Sequence, residues 1–179
     1  MKKISLLLIL LITIGMVISC ERDDICPEST PTTPRLIVQF YDRFDTETTK
    51  FVPQIRVQGV NNNAVLPNYN AVNVQELELS LRTDTTATQY RIRKDYSNNN
   101  NGTPDNPNDD FPNGNEDIIT IKYTLENVFV SRACGYKTVF KNVSLTIEPD
   151  SDNWIVSRQS VTDNQSVEDE TTAHFYLFF

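Results

Sequence analysis

The chain has 179 residues and carries 24 acidic against 16 basic side chains, a formal net charge of −8. That balance argues against a nucleic-acid partner, which needs a basic patch able to displace counterions from phosphates. The one compact basic cluster, Arg91, Arg93 and Lys94, has two members on one side of an alternating segment and reads as a solvated face.

In chain order, Lys2 and Lys3 precede an apolar run from Ile4 to Ile18, and Val17-Ile18-Ser19-Cys20 supplies a small-residue cleavage site, the pattern of an export signal. About 15 apolar residues fall short of the roughly 20 that a spanning helix needs. Residues 1–19 therefore read as a cleaved signal peptide, leaving roughly 160 residues, the size of one domain. Cleavage just before a cysteine in a V-I-S-C context resembles the lipobox of bacterial lipoproteins. That resemblance implies lipidation at Cys20 and a membrane partner through the acyl chains, each buried methylene contributing about 0.8 kcal/mol. Glu21-Arg22-Asp23-Asp24 resembles the surface-export signal of Bacteroidota lipoproteins, while a solvated tether start in a periplasmic protein accounts for it equally. The expected location is the outer membrane, on its periplasmic or its cell-surface face.

With Cys20 assigned to lipid, Cys26 and Cys134 remain, an even pair in an oxidising compartment, and a disulfide between them is expected. A redox or metal-binding role is the rival, but neither cysteine has a C-x-x-C partner and the only histidine, His174, stands alone. Pro27 to Pro34, rich in proline and threonine, reads as an extended tether. Residues 20–34 thus form a lipidated tether and residues 35–179 a single domain.

From Arg35 the period is two. Leu36, Val38 and Phe40 alternate with Ile37, Gln39 and Tyr41. Phe51 to Val60 is a second candidate strand, and Pro53 confines its start to an edge. Leu77, Leu79 and Leu81 alternate with polar residues, and this strand and Gln89 to Lys94 are expected to pair as a hairpin. Residues 97–117, SNNNNGTPDNPNDDFPNGNED, hold almost nothing apolar and read as a disordered loop. Its Asp105, Asn106, Asn108, Asp109 and Asp110 have the hard oxygens calcium prefers, although their spacing matches no EF-hand; calcium is the weak rival reading, and no other metal is expected. Strands resume over Ile119 to Arg132, Val139 to Glu148, Trp154 to Val161 and His174 to Phe179, with an acidic loop from Thr162 to Thr172. No later window shows helical periodicity. About nine strands separated by turn residues predict an all-β fold, an antiparallel β-sandwich with Greek-key or immunoglobulin-like connections. The terminal aromatic strand reads as completing the core rather than closing a membrane barrel.

Catalytic candidates are thin. His174 has no G-x-S-x-G serine to serve, and Glu76 with Glu78, or Glu168, Asp169 and Glu170, are the carboxylate groupings that glycosidase chemistry would require. Trp154 reads as core rather than as a sugar platform. No catalytic residue and no cofactor is expected.

Several separated segments resemble an uncharacterised family of Bacteroidota lipoproteins, the domain-of-unknown-function 6452 family. They are Asp24-Ile25-Cys26, Thr30-Pro31-Thr32-Thr33-Pro34-Arg35-Leu36, Phe40-Tyr41-Asp42, Tyr90, Val130-Ser131-Arg132-Ala133-Cys134-Gly135-Tyr136-Lys137 and Ala173-His174. The resemblance supports the lipoprotein and paired-cysteine readings and transfers no catalytic residue. The function expected is a non-enzymatic, membrane-anchored envelope lipoprotein with a structural, assembly or interaction role, whose partners are envelope proteins or a glycan. A carbohydrate- or small-ligand-binding accessory lipoprotein of an uptake system is the alternative.

Overall fold

Alternating apolar residues between turns give this chain two sheets with a shared core. The computed structural model describes residues 25–179; the expected signal peptide, the Cys20 lipid site and the acidic run at 21–24 lie outside the described residues. Nine strands occur among the described residues: β1 Leu36–Tyr41, β2 Val52–Gly59, β3 Val65–Val74, β4 Glu76–Leu79, β5 Ala87–Asn99, β6 Phe111–Ser131, β7 Gly135–Ile147, β8 Ser157–Ser160 and β9 Phe175–Phe178. One sheet has the order β4-β1-β9-β8 and the other β3-β2-β5-β6-β7. All pairings are antiparallel except β1 with β9, which run parallel. The all-β sandwich expected from the periodicity is the observed fold.

The inward set of each strand is the one the alternation selects. Leu36, Val38 and Phe40 of β1 meet Ile55 and Val57 of β2, Tyr90 and Ile92 of β5, Ile119, Ile121 and Tyr123 of β6, and Phe175 and Leu177 of β9 in one buried cluster. The terminal strand is central in its sheet and Phe175 and Leu177 are buried. Trp154 is also core: its ring lies 5.9 Å from Phe40 and 5.6 Å from Phe179, and its Nε1 donates to Ile92 O at 3.3 Å.

Four expectations need correction. β4 and β5 do not form a hairpin; they belong to different sheets. The intervening segment crosses between layers because tyrosine hydroxyls take up its carbonyls: Tyr90 donates to Ser80 O and Tyr123 to Arg82 O, while Arg82 N donates to the Thr88 hydroxyl. Residues 97–117 are not all loop, since β5 runs to Asn99 and β6 starts at Phe111, so that only the hairpin tip over 100–110 lies outside the strands, with one 3-10 turn at Pro107–Asp109. Backbone pairing of Ser97, Asn98 and Asn99 with Asn113, Pro112 and Phe111 needs no apolar side chain, which is why composition concealed it. The strand expected from Trp154 begins only at Ser157, because the Trp154 and Ile155 amides donate to the Asp117 carboxylate at 3.2 and 2.8 Å instead of to a neighbouring strand. Finally, β3 was not expected. It is an edge strand with three register shifts against β2, carries Pro67 and the positive-φ residues Asn68 and Ala71, and shows no regular apolar alternation.

His174 opens the β1–β9 seam. It is buried, its Nδ1 accepts the Ile37 N–H at 2.9 Å, and its own N–H donates to Ile37 O at 2.8 Å. An acceptor nitrogen requires the neutral ring. Burial pulls its pKa below the ordinary value near 6.5, against the opposing pull of Asp169 and Glu170. The unfolded chain therefore binds this proton more readily than the folded one, so stability is full above about pH 6.5 and declines as pH falls below it, by at most ~1.4 kcal/mol per pH unit. Guanidinium unfolding midpoints measured between pH 7.5 and 5 are expected to fall, and to fall less in His174→Gln.

Candidate functional site

The end of the molecule at the β6–β7 turn concentrates the features that the sequence singled out near the N-terminus. Beyond Tyr123, β6 leaves the core: residues 124–127 are exposed, and β6 and β7 continue as a two-stranded ribbon to their turn. Cys134 occupies that turn beside Gly135, whose φ of +70° is a left-handed conformation that glycine adopts without steric cost. Cys26 is bonded to Cys134 across 108 positions of sequence, with the Cα atoms 4.9 Å apart.

Residues 27–34, expected as an extended tether, are docked on the domain. Thr33 Oγ1 accepts the Thr138 N–H at 3.1 Å, Thr30 Oγ1 lies 3.5 Å from Cys134 Sγ, and Pro34 is buried. Arg35 completes the attachment, its backbone N–H and guanidinium both donating to Glu170 while the guanidinium also pairs with Glu78. The Arg35 guanidinium holds the Glu170 carboxyl below the usual glutamate range. The expected Cys26–Cys134 disulfide and a row of threonine and arginine contacts give the proline-rich stretch partners that its own composition lacks.

Three large apolar side chains are exposed near the staple, among polar neighbours that include Glu28 and Lys137. Phe129 and Tyr136 are direct partners across the ribbon, their rings 5.4 Å apart and nearly perpendicular, and they are 56% and 69% exposed. Ile25, next to Cys26, is 79% exposed.

The remaining sequence candidates are scattered and already engaged. His174 is committed to Ile37. Glu76 accepts from Gln39 Nε2 at 2.8 Å, and Glu168 pairs with Lys141 at 2.5 Å. Asp169 accepts from the Thr171 N–H and hydroxyl. In the Asn/Asp-rich tip, Asp109 takes the Thr103 hydroxyl and Asp110 the Asn98 amide, while Asn106 turns back on Asn108. Among the described residues no group of three or more histidine, cysteine, aspartate or glutamate side chains is placed to hold a metal ion.

A family model matches residues 54–179, well over half the chain. The chain belongs to the family of unknown function DUF6452. No curated protein and no solved structure matches it. The matched span of this DUF6452 member takes in most of the sandwich and the Cys134 half of the staple, while Cys26 and the docked segment precede it. One buried group escaped the sequence reading altogether. Asp117 is fully buried and receives the Trp154 and Ile155 amides; in sequence it closes a run of eight mostly acidic and amide residues and nothing distinguishes it from its neighbours.

Proposed function

We propose that this DUF6452 protein is a non-enzymatic lipoprotein of the Bacteroidota cell envelope, anchored in the outer membrane through Cys20 and serving a structural, assembly or interaction role. The observation that carries the reading is the Cys26–Cys134 staple. It fastens the residues just after the lipobox to the β6–β7 turn, so that six residues at no more than about 3.6 Å each hold the domain within ~20 Å of the acyl chains. Exposed Phe129, Tyr136 and Ile25 on that same end suit the headgroup region, where aromatic rings are favoured. The engagement of His174 in the β1–β9 seam and of the acidic groups in ion pairs and turns supports a non-enzymatic role. The packed Trp154 favours a structural component over a sugar platform at that residue.

Fractionation of the native host tests this. Wild-type protein is expected in the outer-membrane fraction and Cys20→Ser in the soluble periplasmic or unprocessed inner-membrane fraction. Outer-membrane localisation of Cys20→Ser equal to wild type would overturn the reading.

A further inference from the structure

The outer face of the five-stranded sheet sets three arginines side by side. Arg56 of β2 and Arg93 of β5 are direct register partners, and Arg91 stands opposite Gln58 one step along the same face. Like charges directly opposed on antiparallel strands repel. Local neutralisation is incomplete. Arg93 pairs with Glu116 at 2.7 Å and donates to Gly114 O at 3.1 Å, but among the described residues no carboxylate forms an ion pair with Arg56 or Arg91. Arg91 reaches only the Asn62 carbonyl at 3.0 Å, and Arg56 lies over the Tyr96 ring at 4.4 Å. The Nε atoms of both Arg56 and Arg91 are buried with no hydrogen-bond partner among the described residues. Native structures rarely leave such groups unpartnered without a reason.

A dedicated backbone feature builds this face. Between Lys94 and Ser97 the β5–β6 register shifts, with Asp95 at φ +55°. Opposite it Gly114 sits at φ +99°, where a Cβ would come within 2.3 Å of Lys94 O. The extra residue of such a bulge re-aims the following side chain, and here it brings Tyr96 onto the arginine side. The resulting cleft of about 350 Å³ is also lined by Gln58, Asn63 and Asn98, and by Pro112 and Glu116, the last already paired with Arg93. Its volume falls in the range of small-ligand sites, roughly 300–1,000 Å³.

We infer that this cleft binds one acidic residue of a saccharide, its carboxylate or sulfate lying between the Arg56, Arg91 and Arg93 guanidinium groups. Guanidinium forks match planar and tetrahedral oxyanions bidentately. The three amides suit sugar hydroxyls, with Gln58 already donating one N–H to Asn63 O at 2.7 Å and Asn98 one to Asp110 at 2.6 Å, and the Tyr96 ring adds a stacking edge. A long nucleic acid does not fit, since three arginines on a chain of net charge −8 cannot follow a phosphate backbone. Nor do the headgroups of the protein's own membrane: Glu116 lies roughly 15 residues of β6 away from the staple, up to ~50 Å of strand. The cleft itself is read from the sheet face alone; only the exclusion of membrane headgroups rests on the proposed lipid anchor.

Calorimetric titration of the detergent-solubilised full chain at low salt tests it, with four probes: trigalacturonate, a sulfated chondroitin disaccharide, neutral maltotriose and triglutamate. At least one acidic saccharide is expected to bind at least about tenfold more tightly than maltotriose and triglutamate. Arg56→Gln and Arg91→Gln should each weaken that binding by about tenfold or more, the scale of a lost charged hydrogen bond, with the melting temperature unchanged or raised by relief of the repulsion. Acidic probes binding no better than maltotriose, triglutamate matching the saccharides, or unchanged affinity in both variants would each overturn the site. A lowered melting temperature with unchanged affinity would assign the arginines a structural role instead.

Discussion

Replacing Cys134 with Ser is expected to lower the melting temperature by about 10–20 °C. The bond closes a loop of 108 positions, for which the loss of chain entropy in the unfolded state corresponds to about 4 to 5 kcal/mol, and a domain of this size loses ~2–4 °C per kcal/mol. The sandwich itself should survive, because its core residues all lie between Leu36 and the C-terminal strand and Arg35 still holds Glu170 and Glu78. Loss should be sharpest at the N-terminal segment: amide exchange over residues 25–33 is expected to rise to that of an open chain, whereas exchange in β1 and β9 follows global unfolding. Calorimetry with and without reductant checks the first effect, and hydrogen exchange of the variant checks the second.

Asp117→Ala is the second large expectation, at about 2–4 kcal/mol of destabilisation. The substitution strands two buried amides, those of Trp154 and Ile155, and each unsatisfied buried donor costs roughly 1–3 kcal/mol. Part of the loss is offset, because burial raises the Asp117 pKa despite those two bonds, which means that the ionised carboxylate is held at a cost. Its sign is opposite to that of His174. With the folded pKa above the unfolded one, this group's contribution is greatest below about pH 4 and diminishes as pH rises through the folded value. Asp117→Asn keeps one acceptor oxygen and should lose about half as much as Asp117→Ala, without that acid-side dependence. Trp154 is the only tryptophan, so a red shift of its emission in Asp117→Ala, measured beside urea unfolding, reports the same release of its backbone.

What the sequence made legible follows from how each feature is encoded. Leu36-Val38-Phe40 and Ile119-Ile121-Tyr123 declare themselves by period because one face of each is buried, and the cysteine pair follows from counting once Cys20 is set aside. β3 was silent because an edge strand with Pro67 and repeated register shifts has no period to display. The hairpin wrongly expected of Leu77–Leu81 and Gln89–Lys94 shows the limit of adjacency: a seven-residue connection can turn back or cross between layers, and here its carbonyls are taken by the hydroxyls of Tyr90, from the following strand, and Tyr123, from β6.

The arginine face was half visible. Arg91 and Arg93 share a side by simple alternation, but Arg56 joins them only through the β2–β5 register, and Tyr96 only through a bulge that strict alternation would place on the other side. Gly114, flanked by asparagines in an apparent low-complexity stretch, is the one residue that hinted at a built feature there. Asp117 carried no hint, since burial of a single carboxylate among so many acidic neighbours is decided by the Trp154 crossing that it pins.

The anchor and the staple are joined most directly by one experiment: tryptic mass spectrometry, without reduction, of the protein extracted from membranes. The account predicts a lipid-modified peptide of residues 20–22 as the N-terminus, and residues 23–35 disulfide-linked to residues 133–137. An unmodified Cys20 within a longer N-terminal peptide, or both Cys26 and Cys134 recovered as free thiols, would contradict it.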